Sequence, residues 1–223
     1  MSPKSARLVV VLETGDKKAF ASAADWPGWS RAGKTDEAAI EALVMYAPRY
    51  GPVAKLAGFE LPESIEVDVI ERNEGGGGTD FGVPSRVTDA DARKVSKADA
   101  ERLAAIVEAA WTTFDRVAKG APAELRKGPR GGGRDRYKMV GHVMGADSAY
   151  AREIGLKAKE LEFGDRAPYL KLRAEMLDVL RQSSDGSPLA GRRWTARYAA
   201  HRIAWHALDH AWELQDRSEM TSR

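Results

Sequence analysis

The chain contains no cysteine. Disulfides, thiolate metal ligands and cysteine nucleophiles are therefore excluded. Long apolar runs are also missing. The first run, Leu8 to Leu12, ends at Glu13, too short for a signal-peptide core or a membrane span. The expectation is a cytoplasmic protein with no membrane partner. Nor is there an excess of charge of one sign. Lys and Arg total 35 against 33 Asp and Glu, a formal +2, which gives no electrostatic footprint for nucleic acid. No internal repeat is visible.

What is present suits a folded protein. The 223 residues are 43% hydrophobic, enough to bury a core in one or two domains. Valine-rich Leu8–Leu12, a turn at Gly15-Asp16 and the run Ala19–Ala23 read as a β-hairpin. Thr35 is a good N-cap for a helix over Asp36–Tyr46, with Asp36 and Glu37 in its first turn. Pro48 ends or kinks that helix. Ile65–Val69 alternates as a strand with one wet face. Residues 1–72 thus read as an α/β unit of two or three strands, a helix and a further strand. The glycines Gly75–Gly78 mark a linker over 73–95.

From Ser96 onward the spacing is helical. Ser96 and Asp99 form a capping-box-like start. Leu103, Ile106, Val107, Ala110, Trp111, Phe114 and Val117 then trace an apolar stripe. Further helices are predicted at about 135–154, 168–180 and 194–214. The fold class is α+β, with residues 96–217 as an antiparallel four-helix bundle and 218–223 as a tail.

Only four histidines occur: His142, His201, His206 and His210. His206 and His210 are four residues apart, about 400° of helical rotation, so they share a face and can bind one metal. His201 points about 140° and 180° away from them and is read as a surface or structural histidine. His142 lies on the second helix of the bundle, where it can face a neighbour. A helical His pair also arises by chance, and a core histidine is usually only hydrogen-bonded. Three imidazoles suit zinc, nickel, iron or copper. Three protein ligands leave a position open, the pattern of reactive sites.

Two segments carry a resemblance. Arg197–Glu213, containing His206-Ala-Leu-Asp-His210, resembles the last helix of the DinB-like superfamily. Gly141–Tyr150 resembles its second-helix histidine segment. The resemblance covers residues 96–217 and implies a three-histidine site for a divalent metal (zinc, nickel or iron) on His142, His206 and His210. It also implies a transferase or isomerase acting on a small molecule. Such enzymes use a low-molecular-weight thiol such as mycothiol or bacillithiol, whose pKa the metal lowers. With no cysteine in the chain, that thiol would be a cofactor. Asp209 and Glu213 read as surface or helix-pairing acids, one of which could orient a ligand imidazole.

Ahead of His142 runs a glycine–arginine loop from Glu124 to Arg136. Glycines admit close approach of an anion, and arginines grip carboxylate or phosphate. Arg126, Lys127, Arg130, Arg134 and Arg136 are therefore candidate cofactor-binding residues, against the alternative of a solvated loop. The loop lacks the Walker A order, so nucleotide hydrolysis is not expected. No catalytic acid or base stands out.

The segments Asp25-Trp26-Pro27-Gly28-Trp29-Ser30 and Gly33–Ala38 resemble the HicB-like antitoxin domain, over residues 7–70. That resemblance implies a small α/β sandwich serving as an interaction module. Trp26 and Trp29 are read as closing its core, with an exposed contact patch as the alternative. Two functional readings follow. One is a metal-dependent enzyme with a small-molecule substrate. The other is a non-catalytic binding or regulatory protein whose N-terminal domain recognises a partner. A homodimer fits both.

Overall fold

The structure, a computed structural model, describes residues 5–62, 64–127, 133–161 and 163–218. Among the described residues it is a mixed α+β fold of one four-stranded sheet and seven α-helices. Strand β1 (Ser5–Thr14) turns at Gly15, whose N–H donates to the Lys18 carbonyl at 2.9 Å, into antiparallel β2 (Ala19–Ala23). Strand β3 (Ser30–Gly33) pairs with β2. Helix α1 (Asp36–Met45) starts where the Thr35 hydroxyl accepts from the Ala38 N–H at 3.2 Å. A second helix, α2 (Ala47–Leu56), follows at once, with Pro48 in its first turn, where the missing N–H is harmless. Strand β4 (Ser64–Glu74) then returns parallel to β1, giving the order β3-β2-β1-β4.

The glycine stretch is tied to the sheet. The Gly75 N–H donates to the Thr14 carbonyl at 2.8 Å, and Gly77–Phe81 forms the short helix α3. The Glu13 carboxylate, 5% exposed, accepts from the Ser85 N–H at 3.0 Å, the Arg86 N–H at 3.1 Å and the Thr79 hydroxyl. Those donors satisfy a buried charge and strap residues 75–86 onto the sheet.

Four longer helices follow: α4 (Lys97–Gly120), α5 (Arg136–Glu153), α6 (Arg166–Leu180) and α7 (Ala196–Ser218). Ser96 and Asp99 cap α4 reciprocally. Helix α4 packs on α6 and α7, and α5 packs on α6 and α7. Among the described residues, no helix is long and apolar enough to cross a membrane.

One apolar core joins the two halves. It runs from Leu8, Leu12, Trp29 and Tyr50 to Leu103 and Phe114 of α4 and Ile203 and Leu208 of α7. Trp29 stacks on Tyr50 with centroids 4.9 Å apart, and its indole N–H donates to the Leu43 carbonyl at 2.9 Å. Trp26 meets Tyr50 edge-on and carries the Arg102 guanidinium over its ring. Both tryptophans are thus engaged within the chain. Helix α7 is apolar around most of its circumference, as a helix enclosed on several sides must be. The sheet side holds it through Phe20 against Trp205, Tyr46 against Trp212 and an Arg31–Asp209 ion pair at 3.1 Å.

Candidate metal centre

Helix α5 supplies His142, and α7 supplies His206 and His210. Met139 and Val143, both fully buried, seat α5 and leave His142 half-buried, facing α7. The four-residue spacing on α7 brings His206 and His210 edge-to-face, with ring centroids 4.6 Å apart. His142 lies 5.0 Å from the His206 ring and 4.9 Å from that of His210. One nitrogen from each ring falls within 4.8 Å of the others, and the Nε2 atoms of His142 and His206 are 3.2 Å apart.

The residues fit a divalent metal on three observations. Imidazole nitrogens on one tetrahedral ion stand about 3.3 Å apart, close to the His142–His206 separation. Second, His206 is 6% exposed, so water competes little for a cation held there. Third, two of the rings, His142 and His206, are held neutral. Burial lowers His142 to about 4, helped by His210 and Arg134 and opposed by Glu213. Burial, then His210, Arg202, His142 and Arg134, holds His206 well below the usual imidazole range. Neutral imidazole is the ligating form.

A second layer fixes the third ring. Glu213 Oε2 lies 3.0 Å from His210 Nδ1, and Glu213 Oε1 accepts from Arg217 at 3.0 Å. Burial opposes ionisation of Glu213, but its bonds to His210 and Arg217 win and hold its pKa below the usual value. A carboxylate can only accept, so His210 carries its proton on Nδ1 and turns Nε2 outward. Arg217, 7% exposed, also donates to the carbonyls of Arg126 and Arg134 at 2.7 Å each. One side chain thereby ties the α4–α5 loop, the glutamate and helix α7 together. Arg217 carried no signal in the sequence beyond its place one turn after Glu213.

The loop cations diverge. Arg134 is exposed, and its charge acts on both His142 and His206. The Arg126 guanidinium is engaged with the Asp216 carbonyl. Arg136 donates to the Ala121 carbonyl at 2.6 Å and to the Tyr137 hydroxyl at 2.8 Å. Lys127 is exposed, and Arg130 lies outside the described residues. His201 stands apart from the cluster, with Nε2 3.1 Å from the Ala24 carbonyl on the sheet side. Asp209 pairs with Arg31 and does not touch the histidines by hydrogen bond. Tyr150, one further residue beside the site, sets its ring edge-on to His206 at 5.6 Å, against Trp194 at 5.1 Å.

No protein-family model, curated protein or solved structure matches the chain.

Proposed function

We propose that His142, His206 and His210 hold a divalent metal, zinc, nickel or iron, and that the chain is a metal-dependent transferase or isomerase. Its substrate is a small molecule, activated through a low-molecular-weight thiol cofactor. The observation that carries this reading is the convergence of three imidazoles with one of them oriented by a carboxylate. A divalent cation bound there lowers the pKa of a coordinated thiol, so that it ionises near neutral pH.

The protein's own groups do the rest. Glu213 holds the His210 tautomer, and Arg217 holds Glu213. Arg134 adds a positive field, which favours an anionic thiolate over the neutral thiol. The absence of cysteine leaves the nucleophilic sulfur to the cofactor. The same reading extends to architecture: a DinB-like bundle over residues 96–217 and a HicB-like α/β unit over residues 7–70.

Elemental mass spectrometry of the purified, untagged protein tests the reading, alongside His142→Ala and His206→Ala. The expected result is about one equivalent of metal, lost in both variants. No metal after supplying zinc, nickel and iron would sink the enzyme reading and leave the non-catalytic binding role.

A further inference from the structure

Beyond the histidines, the helices enclose a second concavity. It lies between α4, α5 and the N-terminal half of α6, with a volume of about 540 Å³. That falls within the usual range for small-molecule sites. On α5 the groove is lined by Val140 and Met144. Each is two residues from His142, about 200° of rotation, so the groove and the histidines occupy different faces of that helix.

Its walls are apolar and exposed. Tyr137, Phe163 and Leu170 are 50%, 55% and 48% exposed, and all three line it. Tyr137 and Phe163 meet edge-to-face at 5.0 Å. Three large apolar side chains left open around one groove mark a binding surface more than a random scatter does. The floor is rigid. Tyr169 is buried, and its hydroxyl donates to Asp147 at 2.6 Å and accepts from Arg173 at 2.6 Å.

The rim is positive. Lys119, Arg136 and Arg166 line it, against one acid, Asp115. That acid is already matched by Arg173 at 2.8 Å. Neither Asp135 nor Asp165, the residues preceding α5 and α6, lines the groove. Arg136 and Arg166 are moreover the first residues of α5 and α6, so two positive helix ends adjoin the groove.

We propose that this groove binds a small apolar carboxylate, its hydrocarbon body between Tyr137, Phe163 and Leu170 and its anionic head among Lys119, Arg136 and Arg166. An uncharged apolar ligand would gain nothing from the positive rim. An inorganic anion would leave the apolar walls in water. The proposal stands independently of the metal reading.

The test is calorimetric titration of the full chain with 2-naphthoate, and with 2-naphthalenemethanol as its uncharged counterpart. Selective carbon-13 labelling of the methionine methyls reports where the ligand sits, with Met144→Leu assigning the Met144 signal. Saturable binding of the carboxylate that shifts the Met144 methyl is expected. The alcohol, the doubly reversed Lys119→Glu/Arg166→Glu variant and Leu170→Glu should each bind roughly tenfold more weakly or worse. All three altered positions are exposed, and circular dichroism checks their folding. No saturable binding, an unmoved Met144 methyl, or equal affinity for the alcohol would each overturn the proposal.

Discussion

Glu213 and His210 are joined at 3.0 Å through the imidazole Nδ1, and the ionised carboxylate dictates which nitrogen carries the proton. Replacing Glu213 with Gln keeps the shape but lets the amide donate as well as accept, so the tautomer is no longer fixed. Metal affinity is expected to fall about 10- to 100-fold, the range for partners of ligating histidines. Competition with a chromogenic chelator measures it. An unchanged affinity would show that the contact does not act on the site.

Loading the site should stabilise the fold. A ligand that binds only the native state at 100 times its Kd adds about 2.7 kcal/mol. For a chain of this size that corresponds to a Tm rise of about 5–10 °C. Scanning calorimetry with and without zinc reads it directly. His142→Ala should abolish the increment, and an equal increment in that variant would place the metal elsewhere.

The metal-free protein should lose stability as pH falls from about 6.5 toward about 4. His142 titrates at about 4 in the fold, below the unfolded imidazole value, because burial disfavours its charged form. Between those values the unfolded chain binds a proton that the native state refuses, so acid favours unfolding. Above about 6.5 the term vanishes, because both states are neutral. His206, lowered by the same cause, adds in the same direction. Urea midpoints at pH 7.5, 6 and 5 check the slope, and His142→Gln should flatten it. The same protonation displaces metal, so bound metal should be released over the acid range.

Arg173 is the pivot of a buried polar cluster. It lies 3.4 Å from Asp147, 2.8 Å from Asp115 and over the rings of Trp111 and Tyr169. Burial raises the Asp147 pKa against the pull of Arg173. Arg173→Met would leave that carboxylate without its cation, at a cost of about 3–5 kcal/mol. Denaturant unfolding measures it, and a loss below about 1 kcal/mol would show that the cluster tolerates an unpaired acid.

Much of this arrangement was readable in the residues, for identifiable reasons. The hairpin, α1, β4 and the four long helices carry strong periodicity or caps, as at Thr35 and Ser96. The expected helix bounds at 135–154 and 194–214 differ from α5 and α7 by a few end residues, where fraying leaves no sharp signal. Helix α2 was hidden because Pro48, Gly51 and Pro52 fall within ten residues and read as breakers. Packing of Tyr50, Val53 and Ala54 into the core overrides that local preference. The histidine trio was conspicuous because the chain has so few histidines, and the four-residue spacing put two of them on one face. Arg217 was not, because its role depends on loop carbonyls more than 80 residues away.

The docking of the sheet half onto helix α7 gives a paired test. Gly28 and Gly58 both have φ of +87°, a conformation in which a Cβ is strained. A Cβ at Gly58 meets nothing within 4 Å. One at Gly28 would lie 2.8 Å from Leu208 Cδ1 and 2.9 Å from Ala204 Cβ, the residues two before and two after His206 on α7. Gly58→Ala should therefore lose only the backbone term, about 1–2 kcal/mol. Gly28→Ala should lose a further 1–3 kcal/mol or so from overpacking. Because the clash presses on the face of α7 opposite His206 and would shift that turn of the helix, Gly28→Ala should also weaken metal binding, while Gly58→Ala should leave it intact. Urea denaturation and chelator competition on the two variants separate these effects. Equal losses in both would mean that the turn at Gly28 yields freely and that the sheet half does not brace the histidine helix.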